Sequence, residues 1–161
     1  VEGMFTSIIE LRSKIDSKIL NKGCVNMDTF FKDEALLEKL KVHYKKHGKI
    51  IVAYDYDDTI APTYMSKSCD QVIQLLKDLK PYGVFICYTS NENLDNVRDY
   101  IAKHNIPCDK INENVDFVKE RYDKTGKIYY NVFLDDKTGL GQTYRILRKF
   151  LKYLQETEKL A

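Results

Sequence analysis

Residues 50–63 read Ile50-Ile51-Val52-Ala53-Tyr54-Asp55-Tyr56-Asp57-Asp58-Thr59-Ile60-Ala61-Pro62-Thr63. The first five are apolar and rich in β-branched side chains, the composition of a strand buried on both faces. The run then stops abruptly in acid. Asp55, Asp57 and Asp58 would repel one another and lose hydration at the end of a buried strand unless a cation or a phosphoryl group lay among them. Side chains alternate along an extended chain, so Asp55 and Asp57 leave on one side, where they can converge on a single ion, while Tyr56 leaves on the other. Taken alone, the same residues also read as a strand ending in a solvated acidic turn.

Around this stretch the chain has the balance of one domain. Its 161 residues allow a sizeable core and are few for two ordinary domains. With 43% hydrophobic and 31% charged residues the composition is globular, and a formal charge of +2 gives no basis for an electrostatic nucleic-acid or membrane surface. Cys24, Cys69, Cys87 and Cys108 contain no Cys-x-x-Cys pair, and His43, His47 and His104 offer no zinc-ligand spacing with them. All four cysteines are expected as reduced thiols. No apolar run approaches membrane-spanning length and the first residues lack a signal peptide's pattern, so the expectation is a cytoplasmic protein.

Upstream of the strand, Ile8, Ile9, Leu11, Ile15, Ile19 and Leu20 form an apolar stripe at helical spacing from about Phe5 to Leu20. That helix could pack on its own domain or on a partner, a second copy included. Asp33 is expected to cap a helix running to His47, with Leu37, Leu40 and Tyr44 on one face and Gly48 as its stop. Downstream, Ser68 and Gln71 have capping-box spacing, and Val72, Leu75, Leu76 and Leu79 share a face until Pro81. Tyr82 to Tyr88 reads as a second strand that ends in Thr89, Ser90 and Asn91.

Leu94, Val97 and Ile101 mark the next helix, stopped near Asn105, and Cys108 to Ile111 reads as a short third strand. Residues 112–125 are polar and carry no readable period. Ile128 to Leu134 is a further apolar strand, with Lys127 at its entry and Asp135, Asp136 and Lys137 at its exit. Ile146, Leu147, Phe150, Leu151 and Leu154 place a last helix over about Gln142 to Leu154, and 157–161 form a charged tail.

Strands alternating with helices predict an α/β domain with a mainly parallel sheet, whose ligands bind beyond the carboxyl ends of the strands. Asp55, Thr89 and Asp135 would meet at that edge. Residues 1–48 are expected as a helical extension packed on a core of residues 49–156, and the sequence shows no repeat, linker or low-complexity segment.

Asp55-Tyr56-Asp57-Asp58-Thr59, then Thr89 after one apolar strand, then Asp135-Asp136 after another, resembles the haloacid dehalogenase superfamily in order and spacing over about Ile50 to Tyr144. Asp58 stands where many members have Gly. The run from Lys127 to Gly141 is similar to small bacterial and phage members without a cap domain, and the intervals after Thr59 and Thr89 leave no room for a folded cap. The resemblance implies a Rossmann-like fold and a Mg²⁺-dependent phosphohydrolase.

Under that resemblance Asp55 is the nucleophile that forms an aspartyl-phosphate. Asp57 protonates the leaving oxygen and then activates water, which asks for a pKa raised by its carboxylate neighbours. Thr89 donates to a phosphoryl oxygen, and Lys127 neutralises charge around it, with Lys110, Lys119 and Lys124 as competitors for that role. Mg²⁺ is held by Asp55, the backbone carbonyl of Asp57 and Asp135 or Asp136; Asp135 is favoured, leaving Asp136 to hold Lys127 or a metal-bound water. Ser90 and Asn91 are candidates for touching substrate or for capping the following helix. The substrate is a phosphorylated small molecule or a phosphate exposed on a macromolecule, such as a nucleic-acid end or a phosphoprotein.

Two other readings compete. A response-regulator receiver also gathers acids, a Thr and a Lys at strand ends, but its phosphoacceptor follows an earlier acidic pair, whereas here the pair comes late. An inert relative used for binding would fold and take up Mg²⁺ without turnover. The twelve tyrosines, without clustered basic residues, read as core and interface rather than as base-stacking groups.

Overall fold

The computed structural model describes residues 32–63 and 66–160, the side chains of residues 66–68 excepted. The helix expected over residues 5–20, and Cys24, lie outside the described residues. In chain order the elements are helix α1 (Asp33–His47), strand β1 (Ile50–Tyr54), helix α2 (Ser66–Leu79), a 3-10 turn (Lys80–Tyr82), strand β2 (Gly83–Cys87) and helix α3 (Leu94–Lys103). There follow strand β3 (Lys110–Ile111), helix α4 (Asp116–Tyr122), a second 3-10 turn (Asp123–Thr125), strand β4 (Val132–Leu134) and helix α5 (Leu140–Glu158). The sheet belongs to a compact unit that begins at Leu36.

The four strands pair in the order β3-β2-β1-β4, all parallel. Helices flank them in the Rossmann-like α/β arrangement that alternating strands and helices predict. β1 is the inner strand with the longest pairing, and all five of its residues are buried. Alternation divides its contacts. Ile50, Val52 and Tyr54 face the larger core with Phe85, Cys87 and Leu134, under Leu40 of α1, Leu75, Leu76 and Leu79 of α2, and Leu147, Phe150 and Leu154 of α5. Ile51, Ala53 and Ile86 face a thinner layer made by Val115, Val118, Ile128, Tyr129 and Phe133.

Both edge strands are short because polar side chains take over the pairing at their ends. Asp109 gives its N–H to Phe85 and accepts the Phe85 N–H on Oδ2 at 2.7 Å. Asn131 does the same with Ile51, accepting that N–H on Oδ1 at 2.7 Å. The strand expected over Ile128 to Leu134 is therefore confined to Val132–Leu134. Tyr129 gives its N–H instead to Oδ1 of the buried Asn114.

Other features also differ from the sequence pattern. α2 starts at Ser66, so Ser68 lies inside its first turn rather than at the cap. α5 continues through Glu158, into the expected tail, and Glu158 accepts a 2.7 Å hydrogen bond from the Tyr82 hydroxyl. The polar run after Asn112 folds into α4 and the turn that Gly126 closes at φ +67°. No helix among the described residues is long and apolar enough to cross a membrane. Cys69, Cys87 and Cys108 are free thiols.

Candidate functional site

Three strand ends are held level by backbone bonds across β1. Asp55 gives its N–H to the Leu134 carbonyl at 2.9 Å, and Tyr88 gives its N–H to the Tyr54 carbonyl at 2.8 Å. The chain then turns tightly: Ile60 and Ala61 both donate to the Tyr56 carbonyl, and Asp58 donates to Ala61. Asp58 sits at φ +56°, a region open to Gly and tolerated by Asp. Its Oδ1 accepts the Thr63 N–H at 2.7 Å, which fixes the turn.

Thr59 is fully buried beneath this turn, and its hydroxyl accepts the Asp136 N–H at 3.1 Å. The loop after β4 is folded by its own acid, because Asp135 Oδ1 accepts the Lys137 N–H at 2.8 Å. The exposed Lys137 side chain places its Nζ 3.5 Å from Oδ1 of the preceding residue, Asp136. One carboxylate oxygen each from Asp55, Asp135 and Asp136 lies within 4.8 Å of the others. Burial pushes the Asp55 carboxyl above the usual carboxylate range, and Asp135 and Asp57 push it the same way. The Tyr56 N–H and Lys137 act against the rise. Lys137 is itself raised, first by Asp136, with Asp55 and Asp135 contributing.

On the other side, the backbone of Thr89 is clamped by Asn112. Asn112 Oδ1 accepts the Thr89 N–H, and Asn112 Nδ2 donates to the Thr89 carbonyl, both at 2.8 Å. The Thr89 hydroxyl accepts the Asn91 N–H at 3.1 Å. Asn91 in turn places Nδ2 3.5 Å from Asp57 Oδ2 and accepts the Asn93 N–H. The cap of α3 is Asn93, which accepts the Asn96 N–H, so neither Ser90 nor Asn91 serves as that cap.

Asp55, Tyr88, Thr89, Ser90, Phe133, Asp135 and Lys137 line a cleft of about 320 Å³. Hollows of about 420 and 550 Å³ occur beside β3 and along α5, but neither contains a member of the carboxylate trio. Chemistry rather than size singles out the smaller cleft.

Among the residues expected from sequence, Asp55, Thr89, Ser90 and Asp135 line one cleft and Asp136 joins the carboxylate trio, whereas Asp57 belongs to neither and has its Oδ2 3.5 Å from Asn91 Nδ2. Lys127 does not. It does not line the cleft, and its carbonyl accepts a 2.8 Å bond from Asn114 on the approach to β4. Lys110 is engaged with Asp116 at 3.0 Å, and Lys119 with Glu113 and Asp123. The lysine in the cleft is Lys137, which sequence reasoning passed over although it directly follows the acidic pair. Asn112 and the Thr59 hydroxyl were also missed. Thr59 stands out in the sequence as part of the Asp55–Thr59 motif but without a role, and Asn112 has no signal; their partners are backbone groups 77 and 23 positions away.

No family model, curated protein or solved structure matches the chain.

Proposed function

We propose that this protein is a Mg²⁺-dependent phosphohydrolase of the haloacid dehalogenase type, acting on a phosphate monoester through an aspartyl-phosphate on Asp55. One observation carries the reading: three carboxylates from two strand ends converge within 4.8 Å, and two of them, Asp55 and Asp135, line a cleft together with Thr89 and Lys137. So much negative charge gathered beside the partly buried Asp55 is expensive without a cation. The trio offers only hard oxygen donors, which suits Mg²⁺ rather than a thiophilic metal. Asp55, Asp135 and Asp136 would hold the ion. Bound there, Mg²⁺ would supply charge stabilisation to the phosphoryl oxygens.

The chain's own groups do the rest. An Asp55 carboxylate oxygen attacks phosphorus as the bond to the leaving oxygen breaks, and Asp57 gives that oxygen a proton. Asp57 then takes a proton from the water that attacks the phosphorus, which releases phosphate and restores Asp55. The Asn91 amide beside Asp57 Oδ2 fixes the orientation of that carboxyl. Because a Thr89 lone pair already receives the Asn91 N–H, its own proton is available to a phosphoryl oxygen. Lys137, in place of Lys127, neutralises charge on the transferring group.

Hydrolysis of a generic aryl phosphate with and without Mg²⁺, by the native protein and by Asp55→Asn, tests this. Metal-dependent release of phosphate that the substitution abolishes is expected. Failure of the native protein on a broad panel of phosphate esters would overturn the hydrolase reading in favour of a binding role.

A further inference from the structure

The wall of the cleft beside Asp55 is aromatic. Tyr88 follows β2 and Phe133 lies in β4, on the two strands that flank β1, and on the same face of the sheet as Ala53. Phe133 is paired with Ala53 while Tyr88 stands level with Asp55, and the two rings meet with centroids 5.9 Å apart and planes at 51°. Tyr130 continues this surface, 5.3 Å from Phe133. The layer covering this face is thin, and Tyr88 and Tyr130 keep 43% and 37% of their surface open. Exposed tyrosines continuous with a polar cleft make a stacking wall for a flat ring.

Resting on the phosphohydrolase reading above, we propose that the ester is a nucleoside monophosphate, with its base against Tyr88 and Phe133 and its phosphoryl group at Asp55. Reach supports a nucleoside. Phe133 is paired with Ala53, two residues back from Asp55, about 6.6 Å along the strand. Tyr88 is level with Asp55, so a ring bonded directly to the phosphoryl oxygen meets only the near end of the wall, whereas a ribose carries a base on to Phe133. Charge supports a single phosphate. Against the three carboxylates Lys137 is the one ammonium that lines the cleft among the described residues, so one divalent ion leaves little positive charge for a second phosphate. The formal charge of +2 likewise offers no track for a long nucleic-acid backbone.

The test compares kcat/KM for AMP, ribose-5-phosphate and phenyl phosphate in the Mg²⁺-loaded native protein, Tyr88→Leu and Tyr130→Ser. AMP is titrated in parallel by NMR to read ring-current shifts of its base protons. The expected preference for AMP over ribose-5-phosphate is about ten- to a hundredfold, the range of one base stacked on an aromatic side chain. That ratio should collapse in Tyr88→Leu and shrink in Tyr130→Ser, together with the upfield shifts. Turnover with no gain from the base, or an equal gain from phenyl phosphate, overturns the nucleoside assignment and leaves the hydrolase intact. If no ester turns over, the hydrolase reading falls and the titration decides the ring site: shifts that Tyr88→Leu abolishes uphold it, and their absence overturns it.

Discussion

The buried hydroxyl of Thr59 accepts a 3.1 Å hydrogen bond from the backbone N–H of Asp136, and so ties the turn after β1 to the acidic loop after β4. The two loops supply the carboxylate trio, which makes this bond the brace of the candidate metal centre. Thr59→Val keeps the shape and removes the acceptor. Mg²⁺ affinity should fall by roughly 10- to 100-fold, the usual effect of losing a group that orients metal ligands. Calorimetric titration measures it, and unchanged affinity would assign Thr59 to packing alone.

Carboxylate crowding should be visible in the metal-free protein. Burial and Asp135 hold the Asp55 carboxyl above its ordinary range, so the folded state binds that proton more tightly than the unfolded chain does. This contribution favours folding below the ordinary carboxylate pKa and is lost as pH rises through the raised one. In EDTA, Asp55→Asn should therefore gain stability over the native protein across that window and keep the gain above it. Urea unfolding from acid to neutral pH reads the difference, and parallel curves would count against the crowding.

Asn112 offers a test of positioning without contact to the carboxylates. It sits at φ +54° and clamps both backbone groups of Thr89. Asn112→Gly preserves the backbone freedom that this φ requires and removes the clamp. A fall in kcat of about tenfold or more is expected if Thr89 must be held in register. Asn112→Ala adds backbone strain on the order of 1 kcal/mol, seen as a lower melting temperature.

Lysine exchange separates the two candidates for charge neutralisation. Lys137→Ala should lower kcat/KM by about 10²- to 10³-fold, as removal of an oriented group at developing charge does. Lys127→Ala, exposed and away from the cleft, should stay close to the native rate. The reverse result would return the role to Lys127.

The last helix provides a stability measurement independent of chemistry. Tyr82→Phe removes the 2.7 Å bond to Glu158 and should cost about 1 kcal/mol in denaturant unfolding. No loss would mean that the end of α5 frays in solution.

The sequence by itself determined the framework, because apolar runs and helical spacing are local quantities. Ile50–Tyr54 reads as a buried strand and is one, and Leu75, Leu76 and Leu79 read as a helix face and pack as one. Parallel strands put their carboxyl ends on one edge, so Asp55, Thr89 and Asp135 could be brought together before any coordinates. Tertiary structure alone decided which lysine enters the cleft, that Asn112 holds Thr89, that Thr59 holds Asp136, and that Tyr88, Phe133 and Tyr130 meet beside Asp55. Those relationships depend on side-chain direction and on backbone partners distant in the chain. Short-range periodicity carries no information about either.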